Sequence, residues 1–252
     1  MIESKVLYMN TDSLKSLIAS SKSVVFFGGA GVSTESNIPD FRSKDGIYNT
    51  EKRYGYPPEI MLSHTFFIKH TEEFFDFYKN TMIYKNAKPN KAHLALSALE
   101  KGGRLKAVVT QNIDGLHQLA GSKNVLELHG SVHRNYCMDC RKFFSLDYIL
   151  DYPGMVPKCD KCDGIVKPDV TLYEEGLNMN VLSSAVSYIE KADMLIVGGT
   201  SLAVYPAAGL IDYYNGRKLV LINKSTTPYD SRANLIINDS IGKVLDEAVA
   251  CL

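Results

Sequence analysis

The sequence has no tryptophan, no excess charge of either sign and no long hydrophobic run. Lys and Arg together number 28 and Asp and Glu together number 28, so no global field draws the chain to nucleic acid or to an anionic membrane. Binding must come from local sites. The apolar runs, of which VVFF at residues 24–27 is typical, fall far short of the roughly 20 residues a membrane helix needs. The opening MIESKVLYMN lacks a charged head followed by an apolar stretch and a small-residue cleavage site, so a cytoplasmic location and no membrane partner are expected. Low-complexity segments are missing too, which excludes general disorder. At 252 residues and 45% hydrophobic, the chain suits one large domain or one domain carrying an insertion.

Cysteine is scarce, and its placement is informative. Four of the five cysteines form two C-x2-C pairs, Cys137 with Cys140 and Cys159 with Cys162, with 18 residues between the pairs. Two residues between thiols let both reach one ion from a tight turn, and the whole spacing is that of a tetrahedral zinc site. Disulfides would be unusual in a reducing compartment. Cys137, Cys140, Cys159 and Cys162 are therefore expected to hold one structural zinc ion, with Cys251 apart. Four thiolates close the shell and leave no position for a water, so the zinc is not expected to act as a Lewis acid. Residues 131–170 carry six basic and six acidic side chains, which disfavours a nucleic-acid-binding ribbon.

VVFF breaks at once into GGAGVST, residues 28–34. A buried strand ending in glycines opens many nucleotide-binding α/β units, because small residues let the backbone approach a pyrophosphate. Alone this signal is weak, since it lacks the third glycine of GxGxxG and the lysine of a P-loop. Further apolar runs recur at 106–110, 124–128, 193–199, 218–223 and 233–238, with helix-like stretches at 90–101, 180–191 and 240–250. Ahead of the first strand, Leu14, Leu17 and Ile18 share one helical face, with Asp12 or Ser13 as cap. This alternation predicts an α/β fold, a Rossmann-like doubly wound parallel sheet. Residues 43–89, with the aromatic run TEEFFDFYKN, and residues 131–168, with the cysteine pairs, break the rhythm. They are read as a smaller inserted domain made of a helical module and a zinc-binding module. The Rossmann-like domain then takes residues 1–42, 90–130 and 169–252. A cleft between the two would be lined by residues that follow the strands.

Unusual polar residues occupy those positions: Ser33 and Thr34, then Gln111, Asn112 and Asp114, then His129, Thr200, Ser201 and Asn223. With their surroundings they resemble the sirtuins, the NAD-dependent protein deacylases. Six motifs carry the resemblance in the family's order: GAGVSTESNIPDFR (29–42), TQNIDGLH (110–117), ELHG (127–130), the paired CxxC, GGTSLAVYPAAGL (198–210) and IN (222–223). The likeness runs from about residue 13 to 250 and is bacterial in style.

The resemblance implies an NAD-dependent protein lysine deacetylase, with NAD as co-substrate and acetylated-lysine proteins or peptides as partners, yielding nicotinamide and O-acetyl-ADP-ribose. It implies cofactor contacts at Gly29, Ala30, Gly31, Thr34, Phe41, Arg42, Gln111, Asn112, Ile113, Asp114, His129, Gly199, Thr200, Ser201, Asn223, Ser240 and Ile241. Catalysis would rest on His129, Asn112 and Asp114. His129 is the expected general base toward a ribose hydroxyl, since imidazole titrates near neutral pH. Asn112 and Asp114 would orient cofactor or water. On the residues alone, Asp114 reads equally as a helix cap, whereas Phe41 reads first as a core aromatic and His129 first as structural. Mono-ADP-ribosyl transfer and a non-catalytic NAD sensor are the alternatives.

Three positions depart from the family pattern: Gly28 for a threonine, Asn37 for a glycine, and Glu174 for the glycine before Glu175. Asparagine tolerates positive φ, so the turn at Asn37 should be kept. Glu174 changes backbone demands and charge beside the peptide groove. Family members that remove acidic acyl groups share a Tyr-x-x-Arg pair on the aromatic helix. Here Tyr78 is followed by Thr81 and Met82, so an uncharged acyl group is expected, flanked by Met82, Phe74 and Phe77.

Overall fold

The computed structural model describes residues 11–40 and 54–250. Its strands, in chain order, are β1 (Val24–Gly28), β2 (Leu105–Thr110), β3 (Val125–Glu127), β4 (Gly130–Cys137), β5 (Phe143–Phe144), β6 (Val166–Val170), β7 (Met194–Gly198), β8 (Leu219–Ile222) and β9 (Leu235–Ile237). Its α-helices are α1 (Thr11–Ala19), α2 (Pro58–Met61), α3 (His64–Lys69), α4 (Thr71–Phe77), α5 (Lys91–Lys101), α6 (Leu116–Leu119), α7 (Leu146–Asp151), α8 (Met179–Lys191) and α9 (Ile241–Val249). Among the described residues, a parallel sheet runs in the order β3-β2-β1-β7-β8-β9 and an antiparallel sheet in the order β5-β4-β6.

β1 explains why helices cover both faces of the large sheet. Alternate residues of a strand face opposite ways, so a strand apolar at every position needs cover on each side. Val24 and Phe26 pack with Leu14 and Ile18 of α1, Leu96 of α5 and Leu245 of α9. Val25 and Phe27 pack with Ala185 and Ile189 of α8 and with Ile211 of the 3-10 segment Ala207–Tyr213. Each such side chain contributes about 1.5–3 kcal/mol on burial. α5 starts at Asn90, whose side chain accepts from Ala92 N at 2.9 Å, while its Nδ2 donates to Val32 O at 2.8 Å. α1 begins at Thr11, so Asp12 and Ser13 sit in its first turn rather than at the cap. Asp12 still favours that end of the helix electrostatically.

The aromatic run forms α4 and then continues as a π-turn over Tyr78–Met82. Phe67, Phe74 and Tyr78 pack against Val132, Leu146 and Val170, so the helical segment and the small sheet share one apolar cluster beside the large sheet. No helix among the described residues is long and apolar enough to cross a membrane.

α5 and α6 bury an unusual pair, His93 and His117, with ring centroids 4.7 Å apart and almost no exposure. Burial pushes His93 down to about 4, against the pull of Asp114, and burial reinforced by His93 pushes His117 down to about 3. Both lie below the ordinary 6.5, so under acid the unfolded chain binds protons the folded chain refuses. Stability is then full above pH 6.5 and falls as pH drops toward the folded values, with a slope of up to about 2.7 kcal/mol per pH unit for two protons. Urea unfolding between pH 7 and pH 4.5 checks this, and His117→Leu should flatten the slope, which acid loss of a metal would not explain.

Candidate active site

β1 and β7 are neighbours, with β2 and β3 on one side and β8 and β9 on the other. Their connections leave in opposite directions, which opens a crevice beyond the strand ends. The two post-strand loops meet there backbone to backbone. Gly31 N donates to Gly199 O at 2.8 Å, and a Cβ on Gly199, which has φ +61, would lie 2.4 Å from Val32 N. These glycines are required by the loop contact itself.

A cavity of about 990 Å³ extends from this crevice. Ala30, Gly31, Thr34, Gln111, Asn112, Ile113, Asp114, His129, Gly199, Thr200, Ser201, Asn223, Ser240 and Ile241 all line it, so residues from six post-strand or helix-start segments meet in one cavity. Gly29 lies behind them, where a Cβ would press on Thr200 Cβ at 2.8 Å. Phe41 and Arg42 fall outside the described residues.

At one end, Ser33 ties the polar residues together. Its Oγ donates to Asp114 Oδ2 at 2.6 Å and accepts from Asn112 Nδ2 at 3.0 Å. Asp114 Oδ1 accepts from Leu116 N at 2.9 Å, so the carboxylate both shapes the turn into α6 and lines the cavity. Ser33 is 1% exposed, and its linking role depends on residues roughly eighty positions away, which spacing along the chain does not reveal.

His129 sits between the two sheets. Its Nδ1 lies 3.0 Å from Gln111 O. A carbonyl can only accept, so Nδ1 carries the proton and Nε2 keeps its lone pair. Burial lowers the pKa of His129, partly offset by the bond to Gln111, which leaves a neutral imidazole at physiological pH.

Toward β8, Thr200 N donates to Asn223 Oδ1 at 2.9 Å and Thr200 Oγ1 to Gln111 Oε1 at 3.3 Å. Asn223 Nδ2 and Gln111 Nε2 are buried and, among the described residues, without a partner. Two orphaned amide donors on a glycine-walled cavity suit a ligand rich in acceptors, as a dinucleotide's bases, riboses and phosphates are. Glu35, also lining the cavity, accepts from Gly242 N at 2.6 Å and so caps α9 from another part of the chain.

The other end is apolar. Leu62, Met82, Ile83, Val132, Leu146 and Val170 belong to one cluster and line the cavity together. Thr81 lines it as well. Tyr78, Phe74 and Phe77 do not: they turn inward, Tyr78 stacking on Phe74 at 5.8 Å, so the expected place of Phe74 and Phe77 beside an acyl chain is corrected. Asn37 adopts φ +62, as its side chain allows, and Glu174 adopts φ +74.

The four thiols of Cys137, Cys140, Cys159 and Cys162 lie within 4.8 Å of one another. Four sulfurs at about 2.3 Å from one zinc stand about 3.8 Å apart, and Cys137 Sγ to Cys162 Sγ is 3.4 Å and Cys140 Sγ to Cys159 Sγ 3.6 Å. Arg141 and Asp163, each just after a pair, share φ +60, so two matching turns present the donors. The residues fit zinc.

Comparison with known proteins agrees with this geometry. A model of the Sir2 family matches residues 29–206. An NAD-dependent protein deacetylase of Clostridium tetani is 70% identical over 232 residues, covering 92% of this chain and 94% of that protein. One from Staphylococcus aureus is 42% identical over 234 residues, covering 93% and 96%. A solved Sir2 with p53 peptide and NAD+ superposes with a TM-score of 0.85 at 38% identity, covering 96% of this chain and 98% of that one. With the sheet order, the cavity and the four-thiol site all in place, the chain belongs to the Sir2 family, the sirtuins.

Proposed function

We propose that this protein is an NAD-dependent protein lysine deacetylase acting on acetylated proteins in the cytoplasm, without nucleic acid or membrane as partner. The observation that carries the reading is His129: its Nδ1 is held by Gln111 O, which aims a free Nε2 lone pair into a cavity that is polar at one end and apolar at the other. NAD, when bound, supplies the ribose carbon that takes the acetyl-lysine oxygen as nicotinamide leaves. Gln111 and Asn223 would hold it through their unpartnered amides, with the Gly31 and Gly199 loops beside its phosphates. Asn112 and Asp114, linked through Ser33, would orient the ribose and the attacking water. His129 Nε2 would accept the ribose hydroxyl proton. The apolar wall keeps bulk water from the acyl group. The separate packing of the two sheets is in keeping with a Rossmann-like domain of residues 1–42, 90–130 and 169–252 beside helical (43–89) and zinc-binding (131–168) modules, although Gly130, Asp169 and Val170 at those bounds pair within the small sheet.

Incubation with NAD and an acetylated peptide, followed by mass measurement of peptide and nucleotide, tests this. Loss of the acetyl group with formation of O-acetyl-ADP-ribose is expected. ADP-ribose attached to protein would indicate ribosyl transfer, and unchanged NAD a sensor.

The same cavity sets acyl preference. Position 81 carries threonine, and Lys85 at the wall is paired with Asp147 at 2.6 Å. Among the described residues, the apolar end of the cavity offers a succinyl carboxylate no unpaired lysine or arginine, so kcat/KM on succinyl-lysine should fall below that on acetyl-lysine by at least about tenfold. Paired assays on one peptide sequence decide it, and faster succinyl removal would refute it.

A further inference from the structure

The segment after β6 begins beside His129, where Thr171 N donates to His129 O at 3.0 Å, and it walls the cavity outward through Tyr173, Glu174 and Glu175. A lysine side chain that reached His129 from outside would run along this wall, leaving the residues that flank it over its outer end. The outer end is clamped to α3: Tyr173 N donates to Leu62 O at 2.9 Å and His64 N to Tyr173 O at 3.0 Å. Glu175 is engaged inside the clamp, with His64 Nδ1 at 2.9 Å, Lys167 Nζ at 3.2 Å and Leu172 N at 2.9 Å.

Glu174 differs. It holds φ +74, a conformation that disfavours any side chain, yet carries a carboxylate there. One oxygen accepts from Thr65 N at 2.8 Å, in the first turn of α3 where free N–H groups need acceptors. That bond fixes the direction of the side chain while leaving it exposed at the rim. Hydrogen bonds from Thr65, helped by His64 and Lys69, hold its carboxyl below the usual range, so it is anionic at neutral pH. Among the described residues, the ion pairs at this end engage Glu175 rather than Glu174.

We propose that Glu174 reads the charge of residues flanking the acyl-lysine and makes the enzyme favour basic over acidic peptides. This deepens the deacetylase reading and rests on it. A fixed charge about 7 Å from a ligand charge, in nearly aqueous surroundings, changes affinity about threefold for each sign, so lysine-flanked and glutamate-flanked peptides should differ about tenfold. Added salt should shrink the difference, because the screening length at physiological salt is about 8 Å.

The test uses acetyl-lysine peptides with lysine, glutamine or glutamate at the neighbouring positions, with Kd from fluorescence anisotropy and kcat/KM from mass spectrometry, at low and high salt. Wild type, Glu174→Gln and Glu174→Gly are compared. Glutamine keeps an acceptor for Thr65 N, so the clamp persists as the charge leaves. The basic-to-acidic ratio should be about tenfold in wild type and fall within about twofold in Glu174→Gln. Because each ratio compares peptides on one protein, a general change of groove shape cancels. A ratio unchanged in Glu174→Gln, or a wild-type preference for glutamate-flanked peptides, overturns the proposal. Absence of deacetylation on every peptide would sink the deacetylase reading instead, while the Kd ratios still decide the charge preference.

Discussion

His129→Ala is expected to lower peptide-dependent turnover by about 10²- to 10⁴-fold, the range for loss of a general base. The fold should survive, because the backbone bonds around residue 129 remain: Leu128 N to Thr110 O and Thr171 N to His129 O. NAD binding should largely survive as well, since the imidazole is one contact among many on the cavity wall. The pH profile adds a second check. Burial depresses the imidazole below its ordinary 6.5, so the neutral base persists into mild acid. The acid limb of kcat/KM in wild type should therefore fall below pH 6.5 and be absent from the residual activity of the variant. Turnover near the wild-type level in a folded, metal-loaded His129→Ala protein would remove the residue from this role.

Removal of zinc should have the second large effect. The cluster that includes Cys137 and Cys159 is completed by little more than Phe144, Ile149 and Val166, too few apolar residues to hold the cysteine-bearing end of the small sheet alone. The ion's binding free energy is then folding free energy, on the order of 10 kcal/mol in isolated zinc modules. Cys137→Ser, or exhaustive chelation, should lower Tm by about 10 °C or more. Activity should fall with it, because Val132 and Val170 of the small sheet are part of the cavity wall. Elemental analysis should give one zinc per chain, and Cys251→Ser should behave as wild type. Soluble, active protein free of zinc would exclude the assignment.

What the sequence disclosed followed from physics that is local along the chain. Runs such as VVFF and LIVG are apolar at every position, which a strand covered on both faces demands, and both lie in the large sheet. The C-x2-C pairs were legible because two thiols on one turn must converge. Polar residues just after strands marked the cavity for the same reason, since a doubly wound sheet directs those residues to one edge. Features made by meetings between distant segments stayed hidden. Ser33 joining Asn112 to Asp114, Glu35 capping α9 and Glu174 capping α3 each depend on how loops approach in space. The π-turn at Tyr78–Met82 also left no periodic trace, and it opens with Tyr78, one of the aromatic residues that turn away from the cavity. Gly29 belongs to the glycine motif yet serves the contact between two loops, a duty that letters alone do not separate from ligand binding.

Gly130, directly after His129, has φ +78, and a Cβ there would lie 1.8 Å from Asp169 O. The chain thus leaves the large sheet through Leu128 and enters the small sheet through Gly130 with the histidine as the intervening residue. The imidazole itself is referenced to the large sheet through Gln111 O. This separates two evolutionary problems. Substitutions along α4, the π-turn and the small sheet can reshape the apolar end of the cavity while His129 keeps its registration to the large sheet. One catalytic frame can in this way serve lineages that diverge in the modified lysines they recognise.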